Sequence, residues 1–216
     1  MTGPHQGQRI VAAGASLEEA RAALVMVHGR GATAESILTL VPALDRPDVA
    51  YLAPQAGGNT WYPYGFMSPI PQNEPGISSG LEAIEDVLLH VAAAGIPPER
   101  TILLGFSQGA CLTLEFAARH ARRYGGLAGL SGGLIGPDGT PRDYAGSLDG
   151  TPVFLGCSDI DAHIPKERVA LTAQVLQALG GVVTMRLYPG MDHVVNDDEI
   201  AQVQIIMDAV AGGSTA

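Results

Sequence analysis

Ser107 lies in Gly105-Phe106-Ser107-Gln108-Gly109, a spacing that can make a nucleophile of a hydroxyl. Residues 101–104 before it form a short apolar run, as in a buried strand. Residues 111–118 after it read as a packed helix. A strand that reverses into a helix within one residue brings backbone against backbone two positions either side of the serine, where side chains would clash. The turn strains the serine and exposes its hydroxyl at the strand's C-terminal edge. It also sets the serine at a helix N-terminus, whose partial positive charge favours an anionic intermediate. In a chain with 28 glycines the bare spacing says little; the strand before and helix after give it weight.

A serine hydroxyl at neutral pH needs a base, the base needs an orienting carboxylate, and a developing oxyanion needs donors. On folds built around this turn the order along the chain is serine, acid, histidine. His120, in Ala118-Arg119-His120-Ala121, is more than three turns down the serine helix and reads as solvated surface. His163 shares a loop with the candidate acids. His193, in Tyr188-Pro189-Gly190-Met191-Asp192-His193, follows an apolar strand and precedes a helix, the topological place for the base. The acid is expected from Gly156-Cys157-Ser158-Asp159-Ile160-Asp161-Ala162-His163-Ile164-Pro165. Asp159 and Asp161 compete there. Asp161 is favoured because the residues after it run straight into the Ile-Pro that opens a helix, leaving Asp159 to stabilise the turn. The Asp-x-Asp-x-His spacing has the look of a metal site, but no third ligand group adjoins it, so neither a metal nor a cofactor is expected.

Two backbone N–H groups are expected at the oxyanion. One belongs to Gln108, directly after the nucleophile. The other belongs to Arg30 in His28-Gly29-Arg30-Gly31, where glycines let the backbone approach a substrate. Each such donor lowers a barrier by roughly 3 kcal/mol. The Arg30 side chain reads either as surface charge or as a receiver for an acidic substrate group. His28 is expected to hydrogen-bond within its own loop.

Those residues need a scaffold. Residues 22–27, 49–53, 101–104, 126–130, 152–156 and 182–188 read as strands, with 9–13 a short edge strand. Helices are expected from Thr33 through Ile37, Leu38, Val41 and Leu44, over 77–94, after Ser107, over 166–179 and over 198–210. Residues 134–150 form a polar excursion without periodicity. Residues 54–75 form a long loop holding Trp61, Tyr62, Phe66 and Met67, expected as a wall of the binding site; the competing expectation is that these side chains seal the core. Strands alternating with helices imply right-handed crossovers, a mostly parallel sheet covered on both faces, and chemistry at the strands' C-terminal ends. The expected class is α/β, one domain over 1–216 with 1–8 a loose tail and no large lid domain.

Bulk properties narrow the function. At 216 residues the chain can bury about 70 % of its unfolded surface in one core. A net charge of −10 opposes phosphate backbones and excludes nucleic acid as a partner. The first nine residues hold no apolar signal segment, and no apolar stretch nears the roughly 20 residues that span a bilayer. Cys111 and Cys157 form no disulfide framework and read as buried free thiols. A cytoplasmic protein without stable membrane insertion is expected. Homodimerisation is compatible with the sequence, which contains nothing that sets the oligomeric state.

With these pieces assembled, the chain resembles the phospholipase/carboxylesterase family of small α/β-hydrolases, which includes bacterial carboxylesterases and acyl-protein thioesterases. The resemblance rests on His28-Gly29-Arg30-Gly31, Gly105-Phe106-Ser107-Gln108-Gly109-Ala110, Asp161-Ala162-His163-Ile164-Pro165 and Tyr188-Pro189-Gly190-Met191-Asp192-His193, and covers nearly all of the chain. It implies Ser107 as nucleophile, Asp161 as orienter, His193 as base, and Arg30 and Gln108 as oxyanion donors. It implies a serine carboxylesterase acting on small esters through an acyl-enzyme, with lysophospholipase or acyl-thioesterase as the alternative and a non-catalytic binding module as a third. One departure, Arg30 where thioesterase-type members tend to carry leucine, weighs against a long-chain or protein-thioester substrate.

Overall fold

Strands covered on both faces read as continuous apolar runs rather than alternating ones. In this computed structural model, which describes residues 3–212, β2 (Ala22–Val27) is such a run, buried at all six positions. The chain runs through β1 (Ile10–Gly14), β2, α1 (Ala34–Leu38), α2 (Val41–Leu44), β3 (Val49–Pro54), α3 (Gly76–Ala93), β4 (Thr101–Phe106), α4 (Gln108–Arg119) and β5 (Gly126–Leu130). It continues through β6 (Pro152–Ser158), α5 (Lys166–Ala178), β7 (Val182–Tyr188) and α6 (Asp197–Ala211). Seven strands form one sheet in the order β1-β3-β2-β4-β5-β6-β7. Only β1 runs antiparallel to its neighbour; all other pairs are parallel. This is the α/β class expected, with no large lid domain among the described residues.

The sheet separates two apolar layers. Ala23, Val25 and Val27 of β2 join Ile77, Ile84 and Leu88 of α3, Leu112 of α4 and Val169 of α5 on one face. Leu24 and Met26 join Ile37, Leu44, Val203 and Met207 on the other. The period-2 alternation of side chains along β2 thus feeds both layers. β4, the central strand with three on either side, carries its C-terminal end into the middle of the sheet's rim.

Two expectations are corrected and a third is extended. The helix after Thr33 divides in two. Thr33 caps α1 by accepting from the Ser36 N–H, with Ser36 returning a bond to the Thr33 N–H. Pro42 then sits in the first turn of α2, where its missing N–H is tolerated, so a second start replaces a continuous helix. The tail at 1–8 is not loose where it is described, residues 1 and 2 lying outside the described residues. His5 is 4 % exposed. Its backbone N–H donates to Ser79 Oγ at 2.9 Å, its Nε2 lies 2.8 Å from the Trp61 carbonyl, and its Nδ1 accepts from the Gly57 N–H at 3.0 Å. The excursion at 134–150 is aperiodic but pinned. Buried Arg168 of α5 donates to the Leu134, Gly136 and Asp138 oxygens. Buried Glu115 of α4 accepts from the Ile135 N–H and the Tyr144 hydroxyl and pairs with Arg119 at 2.7 Å. Among the described residues no helix is long and apolar enough to cross a membrane.

Candidate active site

Ser107 joins β4 to α4 at φ 55°, ψ −119°, a region that residues other than glycine rarely occupy. The glycines around it are required by contact. A Cβ on Gly105 would meet the Gly109 backbone, and one on Gly109 would meet the Val27 and His28 carbonyls of the neighbouring strand's exit. The turn is held by bonds from the Ser107 N–H to the Leu130 carbonyl and from the Cys111 N–H to the Ser107 carbonyl.

His193 arrives on the loop between β7 and α6. Its Nε2 lies 2.8 Å from Ser107 Oγ, and its Nδ1 lies 2.7 Å from Asp161 Oδ2. An ionised carboxylate only accepts, so Nδ1 carries the hydrogen and Nε2 is left to accept the hydroxyl proton. Burial acts to raise the Asp161 pKa. The His193 bond and the N–H groups of His163 and Ile164 outweigh it and hold the carboxyl below its ordinary value. Those two N–H groups sit 2.8 and 3.0 Å from Oδ1. The Cys157 thiol, pushed up to about 12 chiefly by burial, lies 3.8 Å from Oδ2 and adds a weak donor.

The competing residues have other tasks. Asp159 accepts from the Gly190 N–H at 2.8 Å, tying the β6 exit to the loop that carries His193. His28 bonds the Gly29 carbonyl through Nδ1 at 2.8 Å and accepts from the Ala56 N–H at Nε2. Burial lowers its pKa and keeps it neutral. His120 ends α4, stacked on Phe116.

A cleft of about 390 Å³ opens over Ser107 between Arg30, Tyr62, Phe66, Cys111, His163 and Ile164. Tyr62 and Phe66 line it as expected. Trp61 and Met67 do not: the Trp61 indole is wholly buried, donating to the His28 carbonyl at 2.9 Å, and Met67 packs half-buried on the core. Two lining residues escaped sequence reasoning. His163 reads from sequence as a neighbour of the acid, yet its ring stands edge-on to His193 at 4.9 Å. Cys111 reads from sequence only as a core thiol; its place one turn into the serine helix is the signal that it faces the cleft.

Arg30 and Gln108 both border the cleft, and among the described residues neither backbone N–H has a protein partner. Their side chains brace the wall opposite. Arg30 donates to Thr60 Oγ1 and to the Pro63 and Tyr64 carbonyls at 3.3, 2.8 and 2.5 Å. Gln108 accepts from the Trp61 N–H at 2.9 Å and donates to the Tyr62 carbonyl at 2.8 Å. The expectation that the Arg30 side chain is plain charge or a receiver for an acidic group gives way to that of a clamp on 60–64.

A covered, mostly parallel sheet with a serine on a strained strand-to-helix turn defines an α/β-hydrolase. Residues 7–210 match the phospholipase/carboxylesterase family, and the chain belongs to that family. A phospholipase/carboxylesterase of Dyadobacter fermentans, solved by crystallography, is 41 % identical with a TM-score of 0.89, over 93 % of this chain and 96 % of that one. Acyl-protein thioesterase 1 of Gibberella zeae is 31 % identical over 148 residues, 66 % of this chain and 63 % of that protein. A probable carboxylesterase of Oryza sativa is 27 % identical over 134 residues, 62 % of this chain and 50 % of that protein. The chain thus matches less than two thirds of the length of these two relatives.

Proposed function

We propose that this protein is a serine carboxylesterase that hydrolyses small carboxylic esters through an acyl-enzyme on Ser107. The observation that carries this reading is the unbroken series from Ser107 Oγ through the His193 ring to Asp161, at 2.8 and 2.7 Å. His193 takes the hydroxyl proton as Oγ attacks the ester carbonyl and hands it to the departing alcohol oxygen. Water then repeats the sequence on the acyl-enzyme and releases the acid. The Arg30 and Gln108 N–H groups receive the oxyanion. Asp161 fixes the tautomer and stabilises the imidazolium without itself being protonated. A cleft narrowed by Tyr62 and Phe66 and floored by Cys111 supports short-to-medium acyl groups. The reading includes a cytoplasmic setting, in keeping with two buried free cysteines.

Ser107→Ala should abolish hydrolysis of p-nitrophenyl acetate and labelling by a fluorophosphonate while the circular dichroism stays unchanged. Retained activity would refute the nucleophile. Acyl-thioester hydrolysis is the second reading, favoured by the relative named an acyl-protein thioesterase. Rates on oxygen esters and thioesters of increasing acyl length separate the two: a maximum at short oxygen esters supports the first.

A further inference from the structure

The cleft over Ser107 is one of two depressions that meet at His193. The second, a groove of about 380 Å³, lies beside it between α1, the chain leading to α2 and the loop after His193. Ile37, Leu40, Phe106, His193, Val194 and Val195 line it. Gly29, Ala32, Phe106 and His193 border both depressions, but Ser107, Gln108 and Arg30 border only the first. Leu40 is half-buried and Val194 is 49 % exposed, an apolar side chain held open to water beside the base.

The chemistry of acyl transfer sorts the two. During attack the carbonyl carbon sits on Ser107 Oγ and its oxygen on the backbone donors, so the acyl group lies in the depression that holds all three. The leaving oxygen must instead meet His193 Nε2, which returns the proton as the bond breaks. A depression that touches the histidine without touching nucleophile or donors is placed for the group attached to that oxygen. Resting on the proposed esterase reading, we infer that the groove at Ile37, Leu40, Val194 and Val195 is the alcohol subsite, and that the natural substrates are esters of apolar alcohols, aryl or short branched alkyl. Its lining offers no lysine or arginine for a phosphorylated alcohol, and its polar side chains besides His193 are Ser36 and His28, the latter wholly buried and already bonded within its own loop.

The consequence is kinetic. An alcohol-side contact exists during acylation and is gone during deacylation, because the alcohol has left. An acyl-side contact persists through both. Acetates of phenol, 4-methylphenol, 4-propylphenol and 4-butylphenol differ in apolar length with nearly equal leaving-group basicity. The expected result is kcat/KM rising by up to about fourfold per methylene that enters the groove. Val194→Thr, which keeps shape and adds a hydroxyl, should flatten that rise. It should leave the rate of acetyl-enzyme hydrolysis, read by single turnover, unchanged. Leu40→Ser is the second variant, with the same expectation. A parallel series of phenyl esters of longer acids should respond to neither.

Binding supplies a readout independent of turnover. On Ser107→Ala protein, 4-butylphenol should bind more tightly than phenol, and Val194→Thr should erase the difference. An alcohol series indifferent to both substitutions, or variants that alter the acyl series or acetyl-enzyme hydrolysis instead, overturns the assignment. Failure of the unsubstituted protein to hydrolyse any of these acetates counts against the esterase reading, whereas phenol binding that ignores residue 194 counts against the subsite alone.

Discussion

Glu199 in the first turn of α6 is wholly buried, and its ionisation can be followed as stability. One carboxylate oxygen accepts from the Asn196 N–H at 3.0 Å, completing a reciprocal cap in which Asn196 accepts from the Glu199 N–H. The other packs against Gly156 of β6, where a Cβ would strike it, and has no partner among the described residues. Burial, partly offset by the Asn196 bond and reinforced by Asp198, raises this carboxyl from 4.5 to about 7. The folded protein therefore holds a proton that the unfolded chain releases between those values. The associated stability is fully present below pH 4.5 and is lost as pH rises through 7. At 1.36 kcal/mol per pH unit the loss is about 3 kcal/mol. Urea unfolding of the protein and of Glu199→Gln, from pH 4 to pH 8.5, isolates this effect, because every other titration cancels in the difference. The gap between the two proteins should move by about 3 kcal/mol in favour of the glutamine as pH rises. Parallel stability curves would show that the carboxyl titrates alike in both states and would refute the argument.

Asp161→Asn should keep the fold, since both backbone donors can still bond the amide oxygen, yet lower kcat by about 10⁴-fold by favouring the wrong imidazole tautomer; steady-state kinetics beside thermal melting tests both halves. Gly109→Ala should reduce stability by about 3 kcal/mol or prevent folding, because the added methyl meets two backbone carbonyls that cannot move independently; soluble yield and urea midpoint measure it. Arg168→Ala should cost about 2 kcal/mol by leaving the Leu134 and Gly136 carbonyls unpaired. It should also raise KM more than it lowers kcat, because its guanidinium lies 5.8 Å over the Phe66 ring at the cleft.

What the sequence disclosed is what local pattern encodes. Two glycines around Ser107 announce a backbone collision, and continuous apolar runs announce doubly covered strands. The serine, acid, histidine order and a place after the last strand single out His193, whereas spacing leaves Asp159 and Asp161 in competition and the family resemblance is what favours Asp161. The hidden part is contact between distant residues. Nothing near His5 signals that its ring will bridge Trp61 and Gly57, more than fifty positions away. The polar 134–150 stretch reads as irregular because its anchors, Arg168 and Glu115, lie on other helices. Arg30 reads as surface charge because its acceptors are main-chain carbonyls, which carry no sequence signature. The aromatic loop was legible as a group but not by member: pattern cannot say which ring of Trp61, Tyr62 and Phe66 turns inward.

The seating of His5 has a spectroscopic consequence. The chain contains one tryptophan, and the His5 and His28 rings both lie 5.1 Å from it. Emission from that single indole is thus a built-in reporter, sensing at once whether residues 3–8 are docked and whether the His28 loop beside Ser107 is in register. An amino-terminal fusion that displaced His5 would announce itself in the fluorescence spectrum before any assay of turnover.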